Sequence, residues 1–202
     1  MANSQPASAA LPRYWTVPIG RAVVALVATA VITFNRDHSA AFGLLVFGGY
    51  ALISGLLLIV ASWRTLADAR DRQLFVVQGF VGVLAGALAL GFAGGGLGFF
   101  LYLVSVWGAV TGFLELYSGL RRRRAAPVGV STRDWMSMGG LTAVLALAFL
   151  LLPPNTVVAV GLLGAYLAVF GIFLVIGGLS LKWAATDAPR PVAPVANESD
   201  SQ

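Results

Sequence analysis

With 202 residues, 58 % hydrophobic and only 10 % charged, and with a mean hydropathy of +0.86, the chain has too little polar surface for a soluble domain, where about 25 % charged residues are usual. The net charge of +5 sits in flanks and connections between apolar runs, which argues against nucleic acid and for a bilayer with anionic headgroups. The lack of cysteine excludes disulfides, thiolate metal sites and a cysteine nucleophile.

Residues 1–12 are rich in Ser, Ala and Pro without charge and are expected to form a disordered tail. The first span covers Val17 to Phe34 and reads as uncleaved, since no cleavage region follows it. Arg21 lies one turn inside its start. Snorkelling to headgroups is the first expectation for it, and a polar site shared with Glu115 the alternative.

Asn35, Arg36, Asp37 and His38 form a charged turn before span two, Ala40 to Ala61, which ends at Trp63 and Arg64. Span three runs from Leu74 to Ala93, and Gly94, Gly95 and Gly96 turn the chain. Span four, Leu97 to Leu120, is long enough to cross roughly 30 Å of hydrocarbon. It runs directly into Arg121, Arg122, Arg123 and Arg124, with Glu115 as its only ionisable side chain of the acid or base type. Span five covers Asp134 to Leu152. Pro153, Pro154 and Asn155 make the next turn, and span six, Thr156 to Leu181, ends at Lys182 and Trp183. Residues 184–202, with three prolines and a polar end, are expected to be disordered.

Arginines and lysine concentrate in the tails and in the connections after spans two and four, while the opposite connections hold only Arg36, opposed by Asp37. The expected architecture is all-α: six transmembrane helices as three repeated hairpins, with both termini cytoplasmic. The repeats cover about 13–64, 72–124 and 133–183 of a single domain, 13–183. They share two registers. Arg13, Arg72 and Arg133 each precede a glycine by seven residues, at Gly20, Gly79 and Gly140; Tyr50, Trp107 and Tyr166 each precede one by five, at Gly55, Gly112 and Gly171.

Glycines at such positions let helices approach closely. Gly55, Gly82, Gly86, Gly108, Gly112 and Gly171 are therefore the expected packing residues, and Gly82 with Gly86 repeats the four-residue spacing on one face.

Trp15 and Trp135 opening their hairpins, the early glycines, the Pro153–Pro154 turn, and segments such as GGYALISGLLLIVASWR, VWGAVTGFLELYSGLRR and GAYLAVFGIFLVIGG resemble the HdeD-like family of small bacterial membrane proteins, built from short two-helix repeats. The resemblance spans about Arg13 to Trp183 and departs from the family pattern in lacking a proline at the outer turns of the first two hairpins. It implies a protein of the bacterial cytoplasmic (inner) membrane with a structural, envelope or acid-stress role, and it carries over no catalytic residues.

Glu115 is the sharpest site candidate, because copies one and three place Leu58 and Leu174 at its repeat position. It suits proton or ion sensing in a small proton-linked transporter or permease. As a structural group, it would accept hydrogen bonds from Tyr117, Ser118 or a neighbouring helix, or pair with Arg21. His38, the only histidine, is a candidate outer proton sensor. Gln78 and Thr111 add isolated polarity. Arg121, Arg122, Arg123 and Arg124 are topogenic and lipid-facing by expectation.

No metal cluster, cofactor motif or catalytic constellation is visible, and the glycines at 94–98 lack the lysine of a phosphate loop. A non-enzymatic protein without cofactors is expected. Its expected partners are the bilayer, anionic headgroups at the cytoplasmic face, and a second copy or another membrane protein, with no nucleic acid.

Overall fold

The computed structural model describes residues 15–65, 69–125, 130–151 and 154–186. They form six helices: α1 (Thr16–Phe34), α2 (Ala40–Thr65), α3 (Ala69–Gly91), α4 (Gly96–Ala125), α5 (Val130–Leu151) and α6 (Thr156–Thr186). No strand occurs among the described residues. Helices close every backbone hydrogen bond within one segment, the condition an apolar solvent imposes.

The ends are set by local chemistry. Ser39 Oγ accepts the Phe42 N–H at 3.2 Å and caps α2, while Asp37 Oδ1 accepts the Ser39 N–H at 2.8 Å. Asn155 Oδ1 accepts the Val158 N–H at 3.1 Å and caps α6. Between α3 and α4, Gly96 takes φ +74°, a left-handed conformation open to glycine at little steric cost.

Several helices outrun the spans read from hydropathy: α2 continues to Thr65, α3 begins at Ala69, α4 includes the four arginines, α5 begins at Val130 and α6 reaches Thr186. Bilayer thickness limits the apolar run and not the helix, and Ala, Leu and Arg are good helix formers in water. Residues 184–186, expected in the C-terminal tail, are thus helical. Residues 1–14 and 187–202, which hold the two expected tails, lie outside the described residues.

Five described segments are long and apolar enough to cross a membrane: Thr16–Phe34, Ala40–Arg64, Arg72–Gly91, Gly96–Leu120 and Thr156–Trp183. α5 contributes a shorter apolar stretch, Gly139–Leu151. Large apolar side chains cover the outside, among them Val27, Phe80, Phe113, Leu150 and Ile176, as a hydrocarbon solvent permits.

The closest packing falls between the hairpins and not within them. Each helix is pressed most extensively against a helix outside its own hairpin, α2 against α3 and α4 against α5 across the longer connections, and α1 against α6, the first helix against the last; α1 with α2, α3 with α4 and α5 with α6 touch less. Small residues explain this. A Cβ placed on Gly55 would stand 2.6 Å from the Gly79 carbonyl oxygen, and one on Gly86 2.6 Å from the Leu52 nitrogen. On Gly82 it would meet the Ala51 oxygen at 3.1 Å. Across α4 and α5, a Cβ on Gly112 would lie 2.9 Å from the Ala143 nitrogen, and one on Gly108 3.2 Å from the Ala146 Cβ. Gly171 of α6 meets Leu26 and the Ala22 oxygen of α1. Backbones can approach this closely only where side chains are absent.

These contacts also correct the register of the odd-numbered helices. The residues facing Gly55, Gly112 and Gly171 are Gly79, Gly139 and Ala22. Gly140 has no atom near its would-be Cβ, and Gly20 touches only Leu57 at 3.9 Å. Alanine replaces glycine in the first copy, so a search for glycine alone lands on the wrong residue.

Candidate functional site

The even-numbered helices bring their repeated aromatics together. The Trp107 ring packs edge-on to Tyr50 at 6.0 Å and to Tyr166 at 6.4 Å, with Phe47 at 5.3 Å. On the side away from the arginine-bearing end, the core is apolar, with Leu44, Phe100, Phe149, Val160 and Leu163 fully buried. On the other side, one to two turns further along α2 and α4, lies a layer of buried polar groups: Arg21, Ser54, Gln78, Thr111, Glu115 and Thr142.

Glu115 is 1 % exposed and bridges its two neighbours. Gln78 Nε2 of α3 donates to Oε1 at 2.7 Å, and Thr142 Oγ1 of α5 donates to Oε2 at 3.3 Å. Thr142 Oγ1 also lies 3.1 Å from the Tyr166 hydroxyl of α6. One carboxylate thereby ties four helices, α3 to α6. Tyr117 and Ser118 are not its partners: Tyr117 is exposed and stacks on Phe113, and Ser118 donates to its own helix at the Leu114 oxygen.

Arg21 does not snorkel. It is 6 % exposed, its Nε donates to Ser54 Oγ of α2 at 3.1 Å, and its guanidinium lies 5.4 Å from the Phe170 ring centre of α6. That arrangement ties α1 to α2 and α6, so the two clusters together draw on all six helices. Arg21 and Glu115 belong to the same buried layer. Their hydrogen bonds, however, go to Ser54 and to Gln78 and Thr142.

Thr111, adjacent in this layer, has a buried Oγ1 without a hydrogen-bond partner, as does the Tyr50 hydroxyl. A space of about 10 Å³ adjoins Thr111 and is lined also by Arg21, Ser54, Leu58, Gln78 and Trp107 among others. That volume is room for about one water molecule. It borders Gln78 and not Glu115 itself.

His38 lies apart from this layer. It sits in the turn between α1 and α2, its Nδ1 3.3 Å from the Arg36 carbonyl oxygen. Arg121, Arg122, Arg123 and Arg124 occupy the last turns of α4 beyond the polar layer. Toward the arginine-bearing end, two helix pairs close with a cation over an aromatic ring: Arg72 on Trp63 across α2 and α3, and Lys182 on Trp15 across α1 and α6, each at 5.1 Å. Among the described residues no group of three His, Cys, Asp or Glu could hold a metal ion.

Sequence reading identified Glu115, Arg21, Gln78 and Thr111 and marked Tyr50 and Tyr166 as repeated aromatics, but missed Ser54, Thr142 and the contact of the Tyr166 hydroxyl with Thr142. A hydroxyl residue in an apolar helix carries little signal alone. Thr142 gains one only from its place three residues after Gly139, on the face that meets α4.

Among the described residues the fold and its core define an all-helical protein with an apolar exterior, five helices fit to cross a bilayer, and a buried polar layer. Residues 20–90, which hold α2 with most of α1 and α3, match the family described as a short repeat of unknown function (DUF308). No curated protein and no solved structure matches the chain.

Proposed function

We propose that this chain is a non-enzymatic integral protein of the bacterial cytoplasmic membrane, with both termini and the arginine-bearing connections on the cytoplasmic side. Its role is structural, in maintaining the envelope under acid or related stress. All six helices are read as spans, α5 completing its crossing with the residues before Gly139. The match of residues 20–90 to a short repeat supports the resemblance to the HdeD-like family.

The observation that carries the structural role is the environment of Glu115. A proton-linked permease needs a route for water to that carboxylate. Both of its oxygens are instead engaged by Gln78 and Thr142 in a buried layer, and the adjoining space takes about one water molecule. Such a carboxylate serves as a link between repeats. Hydrogen bonds of this kind contribute about 0.6 to 1.7 kcal/mol each within a bilayer.

Proteoliposomes carrying a pH-sensitive dye and an imposed proton gradient test the reading. The expected result is leakage equal to protein-free vesicles for the natural chain and for Glu115→Gln. Flux in the natural chain that disappears in Glu115→Gln would replace the structural role with proton transport.

A further inference from the structure

We propose that the space beside Thr111 is a binding site for one halide ion of about a water molecule's size, fluoride foremost, held by Arg21, Ser54, Gln78 and Thr111. The site goes beyond the linking role given to Glu115, which does not border it. All four residues line the space of about 10 Å³, and each is at most 6 % exposed. That is room for about one sphere of water's radius. Ala51, Gly55 and Gly82 contribute little bulk to the remaining lining.

The polar part of the lining is made of donors. Thr111 Oγ1 is buried without a hydrogen-bond partner. Ser54 Oγ accepts from Arg21 Nε at 3.1 Å, which leaves the serine its own O–H to give and does not use the Nη groups of the arginine. Gln78 Nε2 donates to Glu115 at 2.7 Å with one of its two N–H groups. A ligand that only accepts hydrogen bonds suits such a set. Water in the same place would have its own hydrogens to satisfy.

Charge points the same way. Arg21 is the one charged side chain among the described residues that line the space. Its contacts are to the neutral Ser54 hydroxyl and the Phe170 ring, and a buried cation is costly until an anion meets it. Glu115 does not supply that contact, because its oxygens are engaged by Gln78 and Thr142. In surroundings of low dielectric, an anion against a guanidinium and hydroxyls is held more strongly than in water. Size then orders the halides. Fluoride matches the space, chloride requires the lining side chains to shift, and iodide is too large.

Fluorine NMR of the purified full-length protein in detergent micelles, titrated with sodium fluoride against a sodium gluconate background, reads the site directly. The expected result is one bound resonance per chain, distinct from free fluoride, displaced in part by chloride and untouched by equal iodide. Thr111→Val, which keeps the shape, and Ser54→Ala should each weaken binding by about tenfold or more, as the loss of a hydrogen bond to a charged group implies. Ser118→Ala, which removes a hydroxyl that serves its own helix, should stay within about twofold. Should Thr111→Val lose helical content, Ser54→Ala carries the test alone. Absence of a bound resonance in a folded chain would assign the space to water only and overturn the site, as would iodide competing like fluoride or full affinity in the folded variants. A chain that binds no fluoride and leaks no protons loses this site and keeps the structural role, whereas one that binds fluoride and leaks protons keeps the site and loses that role.

Discussion

The seams α2/α3 and α1/α6 hold equivalent places in the bundle, yet they close on different atoms. At α2/α3, glycine faces glycine: a Cβ on Gly55 would reach the Gly79 oxygen at 2.6 Å, and one on Gly79 the Gly55 oxygen at 2.7 Å. At α1/α6, Gly171 faces Ala22, whose oxygen lies 3.5 Å from the would-be Cβ, and the nearer atoms belong to the Leu26 side chain at 2.8 and 2.9 Å. Backbone cannot yield without moving a helix, whereas a leucine can change rotamer. A single repeat thus produces one rigid seam and one that accommodates change.

The largest effect should come from the rigid seam. Gly79→Ala is expected to destabilise the protein by about 1–3 kcal/mol or more, read as a shift in its unfolding midpoint in detergent micelles. Gly171→Ala at the accommodating seam should cost less than about 1 kcal/mol. Equal losses would erase the distinction between the two seams.

The α4/α5 seam sharpens the comparison, because it alone carries a carboxylate where the other copies carry Leu58 and Leu174. Glu115→Leu makes the three copies alike in side chain but strands the Gln78 amide, so a loss of about 1–3 kcal/mol is expected. Adding Gln78→Leu should recover part of it, since removing both partners of a buried bond costs less than removing one. If the double variant is no better than the single one, Glu115 stabilises by some other means.

Thr111→Val, which removes a buried hydroxyl without a partner and keeps the shape, should raise stability by up to about 1 kcal/mol. The smallest effect is expected at His38, far from any seam. His38→Ala should shift the unfolding midpoint by no more than about 0.5 kcal/mol equivalent. A larger change would tie the outer turn to the core.

Much of this was legible in the residues. Apolar runs mark the spans because hydrocarbon demands them. The aromatic and glycine register of the even-numbered helices shows in the sequence because Tyr50, Trp107 and Tyr166 meet at the centre, where a ring is needed three times. The register of the odd-numbered helices was obscured by Ala22, which takes the place of Gly79 and Gly139. Pairing was hidden for a different reason. Chain order favours neighbours joined by short turns, while the choice of α3 by α2, or of α6 by α1, depends on which faces lack side chains. Arg21 misled in the same way: its depth in the sequence allows snorkelling, and only the approach of Ser54 and Phe170 turns it inward.

The closed polar layer is the central claim, and the absence of natural cysteine allows it to be probed one residue at a time. Glu115→Cys, Leu58→Cys and Leu174→Cys can each be exposed, in sealed vesicles of both orientations, to a charged, membrane-impermeant thiol reagent, with His38→Cys as the exposed control. The account predicts prompt labelling of the control from one side and none of the three core positions from either. Labelling of the cysteine at position 115 in a folded protein would mean that water reaches the layer, and would contradict it.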